Sequence, residues 1–101
     1  MATVTSKTLA RTAAATSSTT LYTVPASTTA VVTNIVVTNS AASAATFTIT
    51  LDAVDLFKDV AIGANTTVAV DLKQVLATTK IIAGLASAIT VKFHISGVDI
   101  V

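Results

Sequence analysis

Ile89–Ser96 reads ITVKFHIS, and its side chains alternate without a break: Ile89, Val91, Phe93 and Ile95 on one side, Thr90, Lys92, His94 and Ser96 on the other. A helix would space its apolar residues three or four apart, whereas period two marks a strand with one buried and one wet face. Two further stretches repeat the pattern. In Thr46–Asp52 (TFTITLD), Phe47, Ile49 and Leu51 oppose Thr46, Thr48, Thr50 and Asp52. In Thr67–Leu72 (TVAVDL), Val68, Val70 and Leu72 oppose Thr67, Ala69 and Asp71. One-sided strands of this kind belong to antiparallel sheets, whose outer face meets water.

Two stretches break the rule. In Thr28–Asn39, Val31, Ile35 and Val37 share one face while Ala30, Val32 and Val36 share the other. Such a strand is covered on both faces, kinked by a bulge, or in contact with a neighbouring subunit; on the last reading Val32 and Val36 are contact residues. Leu56–Ile62 is mixed in the same way, with Phe57 opposite Leu56, Val60 and Ile62.

Between the strands lie turn signals: Pro25-Ala26-Ser27, the small-residue loop 39–43, Gly63-Ala64-Asn65, and Gly84 and Gly97 in the last third. Residues 74–79 leave room for one helical turn. The count is seven to nine short strands without a long helix, which predicts an all-β, antiparallel β-sandwich of jelly-roll-like form. Composition agrees: 20 Thr and 14 Val favour strands, and no Glu is present to favour helices. Residues 1–20, rich in Thr, Ala and Ser, lack the apolar core of a secretory signal. They read as an extended N-terminal arm with one strand near Thr3–Ala10, and residues 21–101 as the sandwich domain. On this division, deleting the arm leaves the sandwich folded.

Charge is scarce. Charged residues make up 11% of the 101 and hydrophobic ones 52%, and Thr12–Leu51 runs forty residues without Asp, Glu, Lys, Arg or His. A membrane-spanning helix needs about 20 consecutive apolar residues, but the apolar runs here stop at three, as in Ile35-Val36-Val37. No membrane partner is expected. A net charge of +1 is too small for a nucleic-acid-binding face. There is no cysteine, no phosphate-cradling glycine loop and no pair of glutamates, so neither a cofactor nor a metal is expected and the chain does not read as an enzyme.

Three features carry possible chemistry. Asp52, Asp55 and Asp59 lie close together in DAVDLFKD, a spacing that lacks the glycine of a calcium loop; they read as a solvated turn. His94, the single histidine, sits on the polar side of a regular strand rather than in a loop. Phe47, Phe57 and Phe93 belong to the core, leaving Tyr22 as the aromatic whose hydroxyl suits an interface. With the basic residues of the arm, the candidate contact set is Lys7, Arg11, Tyr22, Val32 and Val36.

The runs LYTVPASTTAVVTNIVVTNSAASAATFTITLD (21–52), LFKDVAIGANTTVAVDL (56–72) and ITVKFHISGVDIV (89–101) resemble small β-sandwich structural proteins of tailed-bacteriophage virions. The resemblance covers Leu21–Val101. It implies a virion structural role through contacts with the major capsid protein or other virion proteins. Capsid decoration (cement) on the outer shell surface comes first, as a homo-oligomer with a trimer favoured; a tail, neck or fibre-attachment part is the alternative, and a glycan-binding module stands further off. The resemblance supplies no catalytic residues. Closed symmetry would also hide the sheet edges that so few charges leave unguarded.

Overall fold

The computed structural model describes residues 3–101. Eight strands and no helix are found among them: β1 (Val4–Ala13), β2 (Thr19–Thr23), β3 (Thr29–Asn39), β4 (Ala45–Leu51), β5 (Val54–Ile62), β6 (Thr66–Leu76), β7 (Ile81–Ala86) and β8 (Val91–Ile100). They form two antiparallel four-stranded sheets, the first ordered β1-β8-β3-β6 and the second β2-β7-β4-β5. Strand 1 thus pairs with 8, 2 with 7, 3 with 6 and 4 with 5, alternating between sheets. That is one long hairpin rolled up on itself, the jelly-roll arrangement.

The alternation read from sequence places the core. Phe93 and Ile95 of β8 point inward from the first sheet, Phe47 and Ile49 of β4 from the second, and all four are buried. Phe47 stands at the centre, edge-to-face with Phe93 across the sandwich at 6.2 Å and with Phe57 at 5.9 Å. Each such ring removes about 1.5–3 kcal/mol worth of apolar surface from water.

The double-faced appearance of β3 comes from a bulge. Between Val32 and Asn34 the strand advances two residues while β8 advances one, from Gly97 to Ser96. Thr33 is the extra residue, and it reverses the parity of everything after it. Ala30 and Val32 point inward before it, Ile35, Val37 and Asn39 after it, and all five are buried. The bulge does not stand alone. Leu9 is an extra residue of β1 opposite Ser96 and Ile95, and β6 takes three steps to two of β3 beside Thr33. Irregularities therefore line up across the whole first sheet.

At this line the backbones crowd. A Cβ at Gly97 would collide with the Val31 carbonyl oxygen and lie 3.0 Å from Leu9 Cδ1. A Cβ at Gly84 would lie 3.0 Å from Leu21 Cδ1 and 3.1 Å from the Phe93 ring. Both glycines, expected between strands, lie within β8 and β7, where they make room rather than turns. The helical turn considered for 74–79 is absent: Gln74–Leu76 continue β6, and Thr78 and Thr79 form the turn.

The boundary expected at residue 20 does not divide the structure. β1 pairs with β8 from Val4 to Ala13, and Leu9, Ala10 and Ala14 lie in the core. The strand expected near Thr3–Ala10 is present and runs on to Ala13, but as an edge strand of the first sheet rather than within a free arm; its two-residue repeat is masked by Thr and Ala and broken at Leu9. Residues 1 and 2 of that expected arm lie outside the described residues.

Deleting residues 1–20 is accordingly expected to abolish the cooperative thermal transition seen by circular dichroism, since it strips β8 of one of its two neighbours and removes Leu9, Ala10 and Ala14 from the core. Gly97→Ala is expected to lower Tm by about 5–20 °C through overpacking of about 1–3 kcal/mol. Calorimetry showing an unchanged Tm would mean that β3 and β8 separate freely at the bulge.

Candidate interaction surface

The eleven Lys, Arg and Asp residues are distributed by strand position. Seven lie on the edge strands β1, β5 and β6: Lys7, Arg11, Asp55, Lys58, Asp59, Asp71 and Lys73. The inner strands β3, β4 and β7 carry none, and β8 carries Lys92 and Asp99. Asp52 and Lys80 face each other across two turns at 3.6 Å. Every edge strand also shows a register irregularity. In β5 the irregular residue Asp59 has φ 48°, and its N–H donates to buried Thr48 Oγ1 at 3.0 Å. Charges and bulges on edges are the means by which sheets resist edge-to-edge pairing. Three of the four edges are therefore guarded by charge, contrary to the expectation of bare edges; the fourth, β2, is only five residues long.

Of the expected contact residues, Lys7 and Tyr22 are brought together. Asp99, which sequence reading passed over, joins them. The Tyr22 hydroxyl donates to Asp99 Oδ2 at 2.7 Å, Lys7 Nζ donates to the same oxygen at 3.1 Å, and Lys7 Nζ lies 5.1 Å from the centroid of the Tyr22 ring. The cluster links β1 and β8 of one sheet to β2 of the other. Asp99 is 6% exposed, and its Oδ1 has no hydrogen-bond partner among the described residues. Burying a carboxylate is costly unless donors such as these meet it. The hydrogen bond to Asp99, then that to Tyr22, holds the Lys7 ammonium above its ordinary pKa. Burial, then the bond to Asp99, raises the Tyr22 phenol. The trio is an inter-sheet strut, with only Lys7 well exposed. Asp99 was signalled by parity, since Val91, Phe93, Ile95 and Gly97 put residue 99 on the inward side.

The other expected residues separate. Val32 is buried at 0% exposure within its own chain and cannot meet a partner, because Thr33 shifts the phase that seemed to place it outside. Val36 and Arg11 both face outward on the first sheet, on either side of His94. Asp52, Asp55 and Asp59 are spread from the β4–β5 turn along β5.

One end of the sandwich differs from the rest. The loops 14–18, 40–44, 63–65 and 87–90 meet there and carry no charged residue of their own, while Lys92 at the start of β8 reaches them, its ammonium donating to Ser40 Oγ at 3.0 Å and to the Thr90 carbonyl at 3.3 Å. Asn39 braces them: Nδ2 donates to the carbonyls of Ser43 (2.9 Å) and Gly63 (3.2 Å), while Oδ1 accepts from Ala41 N–H and Thr90 Oγ1, both at 3.1 Å. That uses the full capacity of a carboxamide. Backbone bonds from Asn65 to Ala41 and from Ser40 to Thr90 add to the brace. Above this stiff, small-residue end stands Ile89, 68% exposed.

No protein-family model matches the chain, and neither the curated proteins nor the solved structures yield a match.

Both raised groups in the strut lose their protons less readily in the folded than in the unfolded chain, so their contribution is complete below about pH 10 and is lost as pH rises through the folded pKa values. Tm is expected to fall from about pH 10 upward, and the fall to be shallower in Tyr22→Phe. That variant gives up a hydrogen bond to a charged group, about 1.5–3 kcal/mol at neutral pH. Parallel pH profiles for wild type and variant would remove the strut from alkaline unfolding.

Proposed function

We propose that the chain is a structural protein of a tailed-phage virion, a decoration protein that binds the outer capsid surface and reinforces the shell through protein–protein contacts. The observation that carries this reading is the loop end braced by Asn39, whose loops are made of small residues and carry no charged residue of their own. A partner docking there displaces water from small side chains and Ile89 while the Lys92 ammonium keeps its bonds to Ser40 and Thr90, and it meets loops already fixed in place, so little ordering entropy is lost on binding. The guarded edges favour the same reading, since they direct association away from open-ended strand addition. The resemblance of Leu21–Val101 to virion sandwiches supplies the setting; the fold alone does not, because jelly rolls serve many functions. The aromatic residues speak against a glycan-binding module: Phe47 and Phe93 are in the core, Phe57 packs on it, and the Tyr22 hydroxyl is engaged by Asp99.

Ile89→Asp is expected to leave Tm within a few degrees and to abolish co-sedimentation of the purified chain with capsids of the phage that encodes it. Undiminished co-sedimentation of that variant would take the loop end out of the interface. Copy number decides the address: hundreds of copies per virion in a cryo-EM reconstruction fit decoration, whereas six or twelve would move the protein to the tail or neck.

A further inference from the structure

Charge is segregated along the length of the sandwich. At the end opposite the braced loops lie Asp52 in the β4–β5 turn, Asp55 near the start of β5 and Asp99 near the end of β8, and they outnumber Lys7 and Lys80 there. Asp59 and Asp71 sit at mid-length in β5 and β6, beside Lys58 and Lys73. The portion nearest the braced loops holds no acid, yet it holds Lys92 at the start of β8 and Arg11 near the end of β1. Neither makes an ion pair among the described residues, whereas Lys7, Lys58 and Lys80 each do.

The two cations share the outer face of the first sheet. Arg11 pairs with His94, and Lys92 is the next outward residue of β8 toward the loops. Strand spacing sets their backbones about 8 Å apart. Asp71, on the far edge of the same sheet, is about 16 Å from Arg11, twice the screening length of about 8 Å in physiological salt. Lys92 is also fixed in place. Its ammonium donates to Ser40 Oγ and to the Thr90 carbonyl, and the Thr90 hydroxyl donates to Asn39 Oδ1, so the lysine belongs to the brace. Two of its three hydrogens are used by these bonds.

We propose that what docks on the braced loop end is an acidic protein surface, one carboxylate taking the remaining Lys92 hydrogen and another meeting the Arg11 guanidinium at the rim while Ile89 is covered. This rests on the reading of the loop end as the docking surface and adds the chemistry of its partner. A neutral partner would take the Lys92 ammonium out of water with a donor unanswered, and a basic one would be repelled. A carboxylate answers it at small entropic cost, because the lysine is already held. The acid-rich far end is turned away from such a partner, so the field of the chain favours approach loop end first. A nucleic acid is the poorer match: two cations beside an exposed isoleucine do not make the clustered basic face that follows a phosphate backbone.

Two measurements on the full chain test the proposal, the first without any capsid. In an NMR titration with poly-L-glutamate at neutral pH and low salt, amide shifts should centre on Arg11, Ser40, Thr90 and Lys92 and vanish when Arg11→Glu and Lys92→Gln are combined. Equal shifts around Lys58, Lys73 and Lys80, or tighter binding to a DNA duplex than to poly-L-glutamate, would overturn it. The second is co-sedimentation with capsids. Arg11→Glu and Lys92→Gln, each checked for an unchanged unfolding transition, should weaken binding about tenfold, as should raising NaCl from about 50 to about 500 mM. Lys58→Glu, the same charge change on the β5 edge, should leave binding as it is. If Ile89→Asp abolishes binding while salt, Arg11→Glu and Lys92→Gln do not alter it, the loop end docks but its partner is not acidic, and the proposal fails. If the wild-type chain does not sediment with capsids, the decoration reading fails, and the poly-L-glutamate titration decides the acidic partner alone.

Discussion

A single extra residue, Thr33, sets the geometry on which the rest depends. Strand β3 is an inner strand of its sheet and pairs along nearly its whole length with both β8 and β6. Without the bulge, the parity that buries Ala30 and Val32 would turn Ile35, Val37 and Asn39 toward water, because a one-residue slip exchanges the faces of a strand. With it, both halves of β3 face the core. The cost is local crowding, met by placing glycine at position 97, where the Val31 carbonyl comes too close for any side chain. The matching irregularities in β1 and β6 let the flanking strands follow the bend.

Asn39 is the far consequence of that shift. It is the last residue of β3, and only the reversed parity aims its carboxamide inward. There it serves three loops at once and leaves none of its own groups unpaired, which is how a buried polar side chain fixes a conformation instead of weakening it. The bulge near the middle of β3 therefore determines the rigidity of the loops at its end. It also divides the outer face of the first sheet, separating Val31 and Val75 from Arg11 and His94.

Much of this was legible in sequence. The period-two runs around Phe47, Val70 and Phe93 mark three strands and the core residues they contribute, because alternation is a direct image of the pleat. Val32 was not legible: a bulge adds one residue without any change of residue type, and the apolar run from Ala30 to Val37 reads equally well in either phase. The strand expected near Thr3–Ala10 was legible and is present as β1; its place in the first sheet was not, because its one large inward residue, Leu9, sits at its own bulge. Asp99 was readable from the parity of β8, but an aspartate near a chain end invites a solvent reading. The meeting of Lys7, Tyr22 and Asp99 lies beyond sequence pattern, as it depends on which edge of one sheet closes over the other.

The uncharged stretch Thr12–Leu51 follows from the same topology. It spans the end of β1, all of β2, and the inner strands β3 and β4. Inner strands have neighbours on both sides to satisfy their backbones, so they need no charged side chains to repel a further strand. The scarce charges stand instead on β1, β5 and β6, the strands that would otherwise recruit one. The loops of the braced end carry no charged residue of their own, and Lys92 reaches them from β8. The low charge content is compatible with a chain that resists open-ended pairing, because the few charges it has occupy the positions where such aggregation would begin.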